Sequence, residues 1–274
     1  MFQKCQHLVD KVLNLGNLNY FYKDYIKGKE DSTLLIVQDP YGVSEFILGT
    51  SGHLIKVWCE SNGIAYNGEL PHYKLTTDED KKYGQLFTPK DGRPVLLMHT
   101  NGGPPPPLNN NGQPTLPSNS WPRDLPISVA QEIVNRFKKN YNIIHLRRPD
   151  QMPLQDVIAL ELKFREIIGL ITYSHKRLFI DSMHQHIAAA INKPSVVTWV
   201  VNKPAQFGYE IHTNIIANPY TLIPEYKDSI FQEFNTIGGK EEEFPYESES
   251  DIFDVDRIEE AIKNCPNEVP IPKE

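Results

Sequence analysis

Short apolar runs alternate with amphipathic segments along the second part of the chain. The runs typical of buried strands are Pro94–Thr100, Tyr141–Leu146, Gly169–Tyr173, Arg177–Ile180 and Ser195–Val201. Apolar residues at helical spacing indicate helices over Ile127–Asn140, Leu154–Phe164 and Ser182–Ile191. Because the runs are apolar on both faces and helices separate most of them, the order predicts an α/β fold, with a parallel sheet flanked by helices on both sides.

The residues before 93 and after 239 carry weaker signals. We predict a strand at Thr33–Val37, a helix at His53–Cys59, and a polar surface helix at Thr76–Gln85 that starts at a capping threonine. After residue 240 an acidic stretch precedes a weakly amphipathic helix, Val255–Asn264. The predicted parts are therefore a reduced N-terminal domain (1–92), a Rossmann-like domain (93–239), and an acidic tail with a C-terminal helix (240–274).

Composition narrows the class of protein. The chain has 274 residues, a net charge of −7 and 39% hydrophobic residues, enough to build a core. The acidic balance argues against nucleic acid as a partner, because binding phosphates needs clustered Lys and Arg. The sequence shows neither a transmembrane run nor a signal peptide, and Cys5, Cys59 and Cys265 are too scattered for a disulfide framework. We therefore expect a cytoplasmic protein without a transmembrane segment.

The segment that begins at Asp181 is the strongest candidate site. A predicted strand ends at Ile180, and Ser182 is placed to cap the next helix. The first N–H groups of a helix are unpaired and carry partial positive charge, so a diphosphate would bind there. The alternative is an ordinary capped helix with Ile187 and Ile191 in the core, and the residues alone leave both open.

Two further strand ends offer candidate ligand contacts. Thr100, Asn101, Gly102 and Gly103 follow a strand, and the glycines would let backbone N–H groups face a ligand. The alternative is a plain Pro/Gly connector. Arg147 follows another strand and would clamp a phosphate, or else form a surface pair with an acidic neighbour such as Asp150.

Asp181–Ile191 resembles the D-S/T-G-x-x-H-x-A-A-A motif of glycosyltransferase family 9, the ADP-heptose:lipopolysaccharide heptosyltransferases. Asp181, Ser182, His186 and the alanines match, whereas Met183 stands where the family has glycine. Further pieces resemble the same family at Trp121-Pro122, Asn192–Val197 and Lys203–Gly208. The likeness covers roughly Pro94–Pro219.

This resemblance implies a fold of two Rossmann-like halves (GT-B-like), here with an incomplete N-terminal half. It implies inverting transfer of a sugar from a nucleoside-diphosphate donor to a glycan or lipid-linked acceptor, in lipopolysaccharide or glycan biosynthesis. The nucleotide-sugar would be a substrate, with no cofactor and no metal. The resemblance also implies a cytoplasmic location, peripheral at the inner face of the membrane.

The chain departs from the family pattern in two places. The family's N-terminal half opens with a strand and a glycine-rich turn that ends in an Asp, the general base, and this chain has no counterpart. Asp10, Asp24 or Asp39 would have to replace it, so no catalytic residue is assigned. Ser118–Ser120 stand where the family has a phosphate-binding cation.

Three explanations follow from these departures. The chain is part of a split enzyme, or it pairs with a second chain that supplies the missing strands, or it binds nucleotide-sugars without catalysis. The last alternative makes it a binding or scaffolding protein.

Overall fold

The computed structural model describes residues 52–103, 111, 121–224 and 244–268, together with 23, 26–29 and 31. The strand predicted at Thr33–Val37, the three candidate bases Asp10, Asp24 and Asp39, and Ser118–Ser120 lie outside these residues.

Six strands form one sheet in this part of the chain. They are β1 (Val95–His99), β2 (Asn142–Leu146), β3 (Ile158–Leu160), β4 (Lys176–Ile180), β5 (Val196–Trp199) and β6 (Thr213–Ile216). They lie in the order β3-β2-β1-β4-β5-β6, and every pairing is parallel. The predicted parallel α/β sheet is therefore confirmed, in the strand order of doubly wound nucleotide-binding folds.

Helices and short turns connect the strands. They are α1 (Leu54–Ser61), α2 (Thr77–Phe87), α3 (Ile127–Phe137), α4 (Phe164–Tyr173), α5 (Met183–Ala190), α6 (Pro204–Phe207) and α7 (Val255–Asn264). Short 3₁₀ turns lie at Pro219–Thr221 and Glu249–Asp251. The predicted helices that correspond to α1, α2, α3, α5 and α7 are confirmed, whereas α6 and β6 were not predicted.

Two predictions between β2 and β4 are wrong. The helix predicted over Leu154–Phe164 is replaced by the short strand β3, because Asp156 has a positive φ of 58° that no helix continues through. The strand predicted over Gly169–Tyr173 is the second half of α4, which starts after Lys163, whose backbone N–H donates to the Glu166 carboxylate at 2.9 Å. A short apolar run fits a buried helix as well as a buried strand, and here the helix start decides.

Side chains that alternate along the strands build two apolar layers. Leu96 and Met98 of β1 face α3 and α7 on one side of the sheet. Val95 and Leu97 face α2, α4 and α5 on the other side. The helix that follows β1 and the helix that follows β4 therefore lie on opposite faces.

Helix α2 packs against the sheet domain instead of lying free on the surface as predicted. Its Tyr83 and Phe87 are buried in the layer that contains α4. A Cβ atom added to Gly169 of α4 would lie 2.4 Å from Cγ of Tyr83. Gly169 is therefore what allows the two helices to approach, while the domain boundary at residue 92 stays a prediction.

We predict that Gly169→Ala destabilises the protein, although alanine ordinarily stabilises a helix over glycine by about 1 kcal/mol. The added methyl group overlaps the Tyr83 ring, and such overpacking costs about 1–3 kcal/mol. Gly84→Ala on α2 is the matched control, since its Cβ meets only the end of the Tyr173 side chain, at 3.0 Å. Urea unfolding measures both, and a Gly169→Ala variant more stable than wild type would contradict the packing.

Candidate functional site

The site lies at the carboxyl ends of β1 and β4, which are neighbours in the sheet. After β1 the chain passes to α3 on one face, and after β4 it passes to α5 on the other. Chain segments that part in this way leave a crevice between the strand ends, where doubly wound sheets bind ligands. The turns that follow His99 and Ile180 border this crevice.

The turn after β1 is held by Asp124. One carboxylate oxygen accepts from the backbone N–H of Gly102 at 2.7 Å, and the other accepts from Nδ2 of Asn101 at 3.1 Å. The hydroxyl of Thr100 lies 2.9 Å from Nε2 of His145. Thr100 and Asn101 are both buried, so their side chains position the turn and are engaged by protein groups.

Gly102 leaves room for Arg123. A Cβ atom at Gly102 would lie 2.7 Å from Cδ of Arg123, so a side chain there would force the arginine out of its position across the end of β1. The Nε atom of Arg123 lies 4.0 Å from Oδ2 of Asp181, and 44% of the arginine side chain is exposed. The structure thus places a cation at the crevice. The sequence patterns did not mark Arg123 as a site residue, although it directly follows the Trp121-Pro122 step.

The start of α5 has the predicted cap. Ser182 is the N-cap residue, and its hydroxyl accepts from the backbone N–H of His184 at 3.4 Å. Asp181, just before it, is mostly buried and accepts a hydrogen bond from Asn202 after β5. The carboxylate of Asp181 thus accepts from the neutral amide of Asn202 and lies near the positive charge of Arg123 at this helix start.

Two histidines stack beside Ser182. The ring centroids of His99 and His184 lie 3.7 Å apart, with an angle of 30° between the ring planes. Their Nδ1 atoms lie 3.3 Å and 3.2 Å from the Ser182 hydroxyl oxygen. Burial lowers the pKa of His184 to about 4 and holds that of His99 well below its ordinary value, with further lowering of the His99 pKa by His184, His145 and Arg148. Sequence reasoning gave neither residue a role, because β1 and α5 meet only through the fold.

A cavity of about 190 Å³ opens next to this pair, at the carboxyl ends of β1, β2 and β3. Its lining residues are His99, Leu146, Arg147, Arg148, Gln151, Leu160, Glu161, Leu162, Ile167 and His184. One part of the wall is apolar, and the other carries both charges and the two imidazoles. This mixture of an apolar surface with a few convergent polar groups is typical of small-molecule sites.

Arg147 lines this cavity with its guanidinium partly engaged. Its Nη1 donates to the carbonyls of Arg148 at 3.1 Å and Gln151 at 3.0 Å. Its Nε is buried and has no partner among the described residues. Asp150 pairs with Arg148, not with Arg147, and Arg148 also donates to the Gly103 carbonyl at 3.0 Å. The pair links the end of β2 to the turn after β1.

The hydrogen bonds of the His186 side chain go to residues other than the predicted site residues, although Asp181 is near enough to raise the pKa of His186 against the larger lowering by burial. Its Nδ1 is 2.9 Å from the hydroxyl of Tyr209, and the two rings meet edge to face. The structure thus gathers Gly102, Gly103, Asp181 and Ser182 around the crevice, with Arg147 in the adjacent cavity. His186 instead fastens α5 to the segment after α6.

A second cavity, of about 340 Å³, lies at the carboxyl ends of β5 and β6. Trp121, Val201, Ile216 and Tyr246 are among its mostly apolar lining, together with Asn202. Because Asn202 also binds Asp181, this cavity adjoins the crevice.

In the described part of the chain, no group of three or more His, Cys, Asp or Glu side chains is arranged to hold a metal ion. The same residues contain no helix with the length and apolar character needed to cross a membrane.

Neither a protein-family model nor a curated protein matches the chain. Solved structures similar to it include glycosyltransferases. A family 9 glycosyltransferase from Veillonella parvula is 10% identical over 78% of this chain and 60% of that one, with a TM-score of 0.49. The E. coli heptosyltransferase WaaC with ADP is 11% identical over 61% of this chain and 51% of that one, with a TM-score of 0.42.

The iron-containing dodecameric glycosyltransferase TibC from enterotoxigenic E. coli is also similar. It is 12% identical over 68% of this chain and 49% of that one, with a TM-score of 0.41. The chain thus spans 60% or less of the length of these three proteins. Since a fold does not fix a function, these similarities by themselves assign no function to the chain.

Burial holds the pKa of His145, His184 and His212 at about 4 each. Below about pH 6.5 the unfolded chain takes up protons that the folded chain does not, which favours unfolding. We predict that the free energy of unfolding falls by roughly 1 kcal/mol for each of these histidines between about pH 7.5 and about pH 5.5. Urea unfolding at the two pH values measures the change, and equal or greater stability at the lower pH would contradict the neutral, buried state of the rings.

Proposed function

We propose that the chain binds a nucleoside-diphosphate sugar along the carboxyl ends of its strands and acts as a glycosyltransferase on a glycan or lipid-linked acceptor. The observation that supports this proposal is the order of apolar, polar and charged groups along the carboxyl edge of the sheet. A cavity with an apolar wall at β2 and β3 is followed by polar groups at β1, then by a cation, Asp181 and a helix start at β4, and by Asn202 after β5. Base, ribose, diphosphate and sugar follow one another in the same order in the ligand.

The diphosphate is assigned to the space between Gly102, Arg123 and the start of α5. The dipole of the helix attracts an anion, and the guanidinium of Arg123, whose Nε lies 4.0 Å from Oδ2 of Asp181, would offer N–H donors to the diphosphate. In a transfer reaction these groups would stabilise the charge that develops on the leaving diphosphate. Arg123 takes the place of the cation that the family has before its Trp-Pro step.

The base is assigned to the cavity of about 190 Å³. Leu146, Leu160 and Leu162 offer apolar surface for a flat ring, and Glu161 with Arg147 offers polar contacts at its edge. This assignment places Arg147 near the nucleoside. Asp181 and Ser182, which the sequence predicted as site residues, would then contact the phosphates and the sugar.

The group that activates the acceptor is not assigned. Asn202 and Arg123 both contact Oδ2 of Asp181, which holds this carboxylate at the start of α5. Within the proposal, the base comes from Asp10, Asp24 or Asp39 or from a second chain. The lack of an assigned base among the described residues favours the second candidate, a nucleotide-sugar-binding protein without transfer activity.

Nucleoside diphosphates are predicted to raise the melting temperature of the full chain, because a ligand of the folded state stabilises it. A thermal-shift panel of ADP, GDP, UDP and their hexose or heptose conjugates measures this and selects the base. Release of free nucleoside diphosphate from the selected conjugate, with an acceptor glycan present, separates transfer from binding alone. If no member of the panel stabilises the protein, the proposed function is wrong.

Arg123→Gln is predicted to weaken binding of the selected diphosphate by about tenfold or more, the loss expected for a charge-assisted contact. Gly102→Ala should have a similar effect, since its methyl group displaces the arginine side chain. Titration calorimetry measures both variants.

The double variant should lose no more affinity than either single one, because both changes remove the same contact. Arg93→Gln is the matched control, at the amino end of β1, where Arg93 pairs with Asp91. Unchanged binding in Arg123→Gln would contradict the assignment of the diphosphate.

A further inference from the structure

The hydroxyl of Ser182 restricts the tautomers of the stacked histidines. Both Nδ1 atoms lie within hydrogen-bond distance of its oxygen, at 3.3 Å for His99 and 3.2 Å for His184. A hydroxyl has one proton, so it donates to one ring at most, and the other ring must donate its own Nδ1–H to the oxygen. A neutral imidazole carries a single N–H, so at least one of the two Nε2 atoms is a bare acceptor.

Both rings line the cavity of about 190 Å³, and each residue is at least nine-tenths buried. The hydrogen bonds that the described residues make to these side chains involve Nδ1. The two Nε2 atoms are not among the buried polar atoms that lack a partner, so they are accessible from the cavity. A ligand in the cavity that replaces water there can bind both of them.

The tautomers decide which ligand groups fit. A phosphate or carboxylate oxygen only accepts, so it cannot satisfy a bare Nε2 atom. A hydroxyl both donates and accepts, so two hydroxyls on neighbouring carbons satisfy the two Nε2 atoms in any permitted tautomer. We propose that His99 and His184, with their tautomers set by Ser182, recognise the two ribose hydroxyls of the bound nucleoside diphosphate.

This inference rests on the proposed function and fits its geometry. The apolar wall of the cavity, with Leu146 and Leu160, lies on the side of β2 and β3, whereas Ser182 leads to the diphosphate space at β4. The histidine pair sits between them, as ribose sits between base and phosphate. Glu161 lines the same cavity and is the competing acceptor for ribose hydroxyls.

The first test compares ADP with 2′-deoxy-ADP and 3′-deoxy-ADP by titration calorimetry on the full chain, or the corresponding set for the base that binds best. We expect each deoxygenation to weaken binding about tenfold, the usual value of one neutral hydrogen bond in a buried site. His99→Phe and His184→Phe keep a stacking ring but lose Nε2, so they should lose this discrimination while still binding pyrophosphate.

His212→Phe and Glu161→Gln are the controls. His212 is buried but does not line the cavity, so its variant should keep the preference for ribose. Discrimination that survives in both cavity histidine variants, or that disappears in Glu161→Gln alone, overturns the assignment to the histidine pair. If wild type binds ADP and the deoxy forms equally, the inference fails and the proposed function stands; if wild type binds none of them, both fail.

The second test needs no ligand and no variant. Nitrogen-15 chemical shifts of the histidine rings near neutral pH report which ring nitrogen carries the proton. We expect at most one of His99 and His184 to be protonated at Nε2. Two rings that both carry the proton at Nε2 would show that Ser182 does not set their tautomers, and would overturn the inference even if nucleotides bind.

Discussion

The neighbouring parallel strands β1 and β4 are followed by helices on opposite faces of one sheet. This leaves a gap at the carboxyl ends of the two strands, and each feature of the site depends on that gap. The gap follows from the topology of the chain, because α3 and α5 pack on different layers and neither covers the strand ends. Backbone groups at the end of β1 and at the start of α5 are brought together there. A ligand that accepts hydrogen bonds and carries negative charge is the natural occupant of such a place.

The groups around the gap are positioned by buried polar contacts. Asp124 fastens the turn after β1 through Gly102 and Asn101, and Gln151 donates to the Asn101 carbonyl from the next strand end. With the turn fixed, the absence of a side chain at Gly102 leaves space for the side chain of Arg123. The site is thus organised before any ligand arrives, which lowers the entropic cost of binding.

Hydrophobic periodicity predicts most of this fold, because the strands and helices of the two layers bury the positions that their apolar pattern marks as buried. It fails at α4 and β3, where the hydrogen bond from Lys163 N–H to Glu166 and the positive φ of Asp156 outweigh an apolar pattern that fits either structure. It also misjudges α2, whose burial depends on a glycine in another helix.

For the site, local sequence predicts the cap at Ser182, because capping needs only neighbouring residues. Arg123 and the pair of His99 and His184 come together from distant segments, so no local pattern predicts them. The most direct test of the account is a titration of the ¹⁵N-labelled chain with the nucleoside diphosphate that binds best. We expect the largest amide shifts at Gly102, Ser182 and His184, whereas shifts confined to the amino ends of the strands, or none, would contradict it.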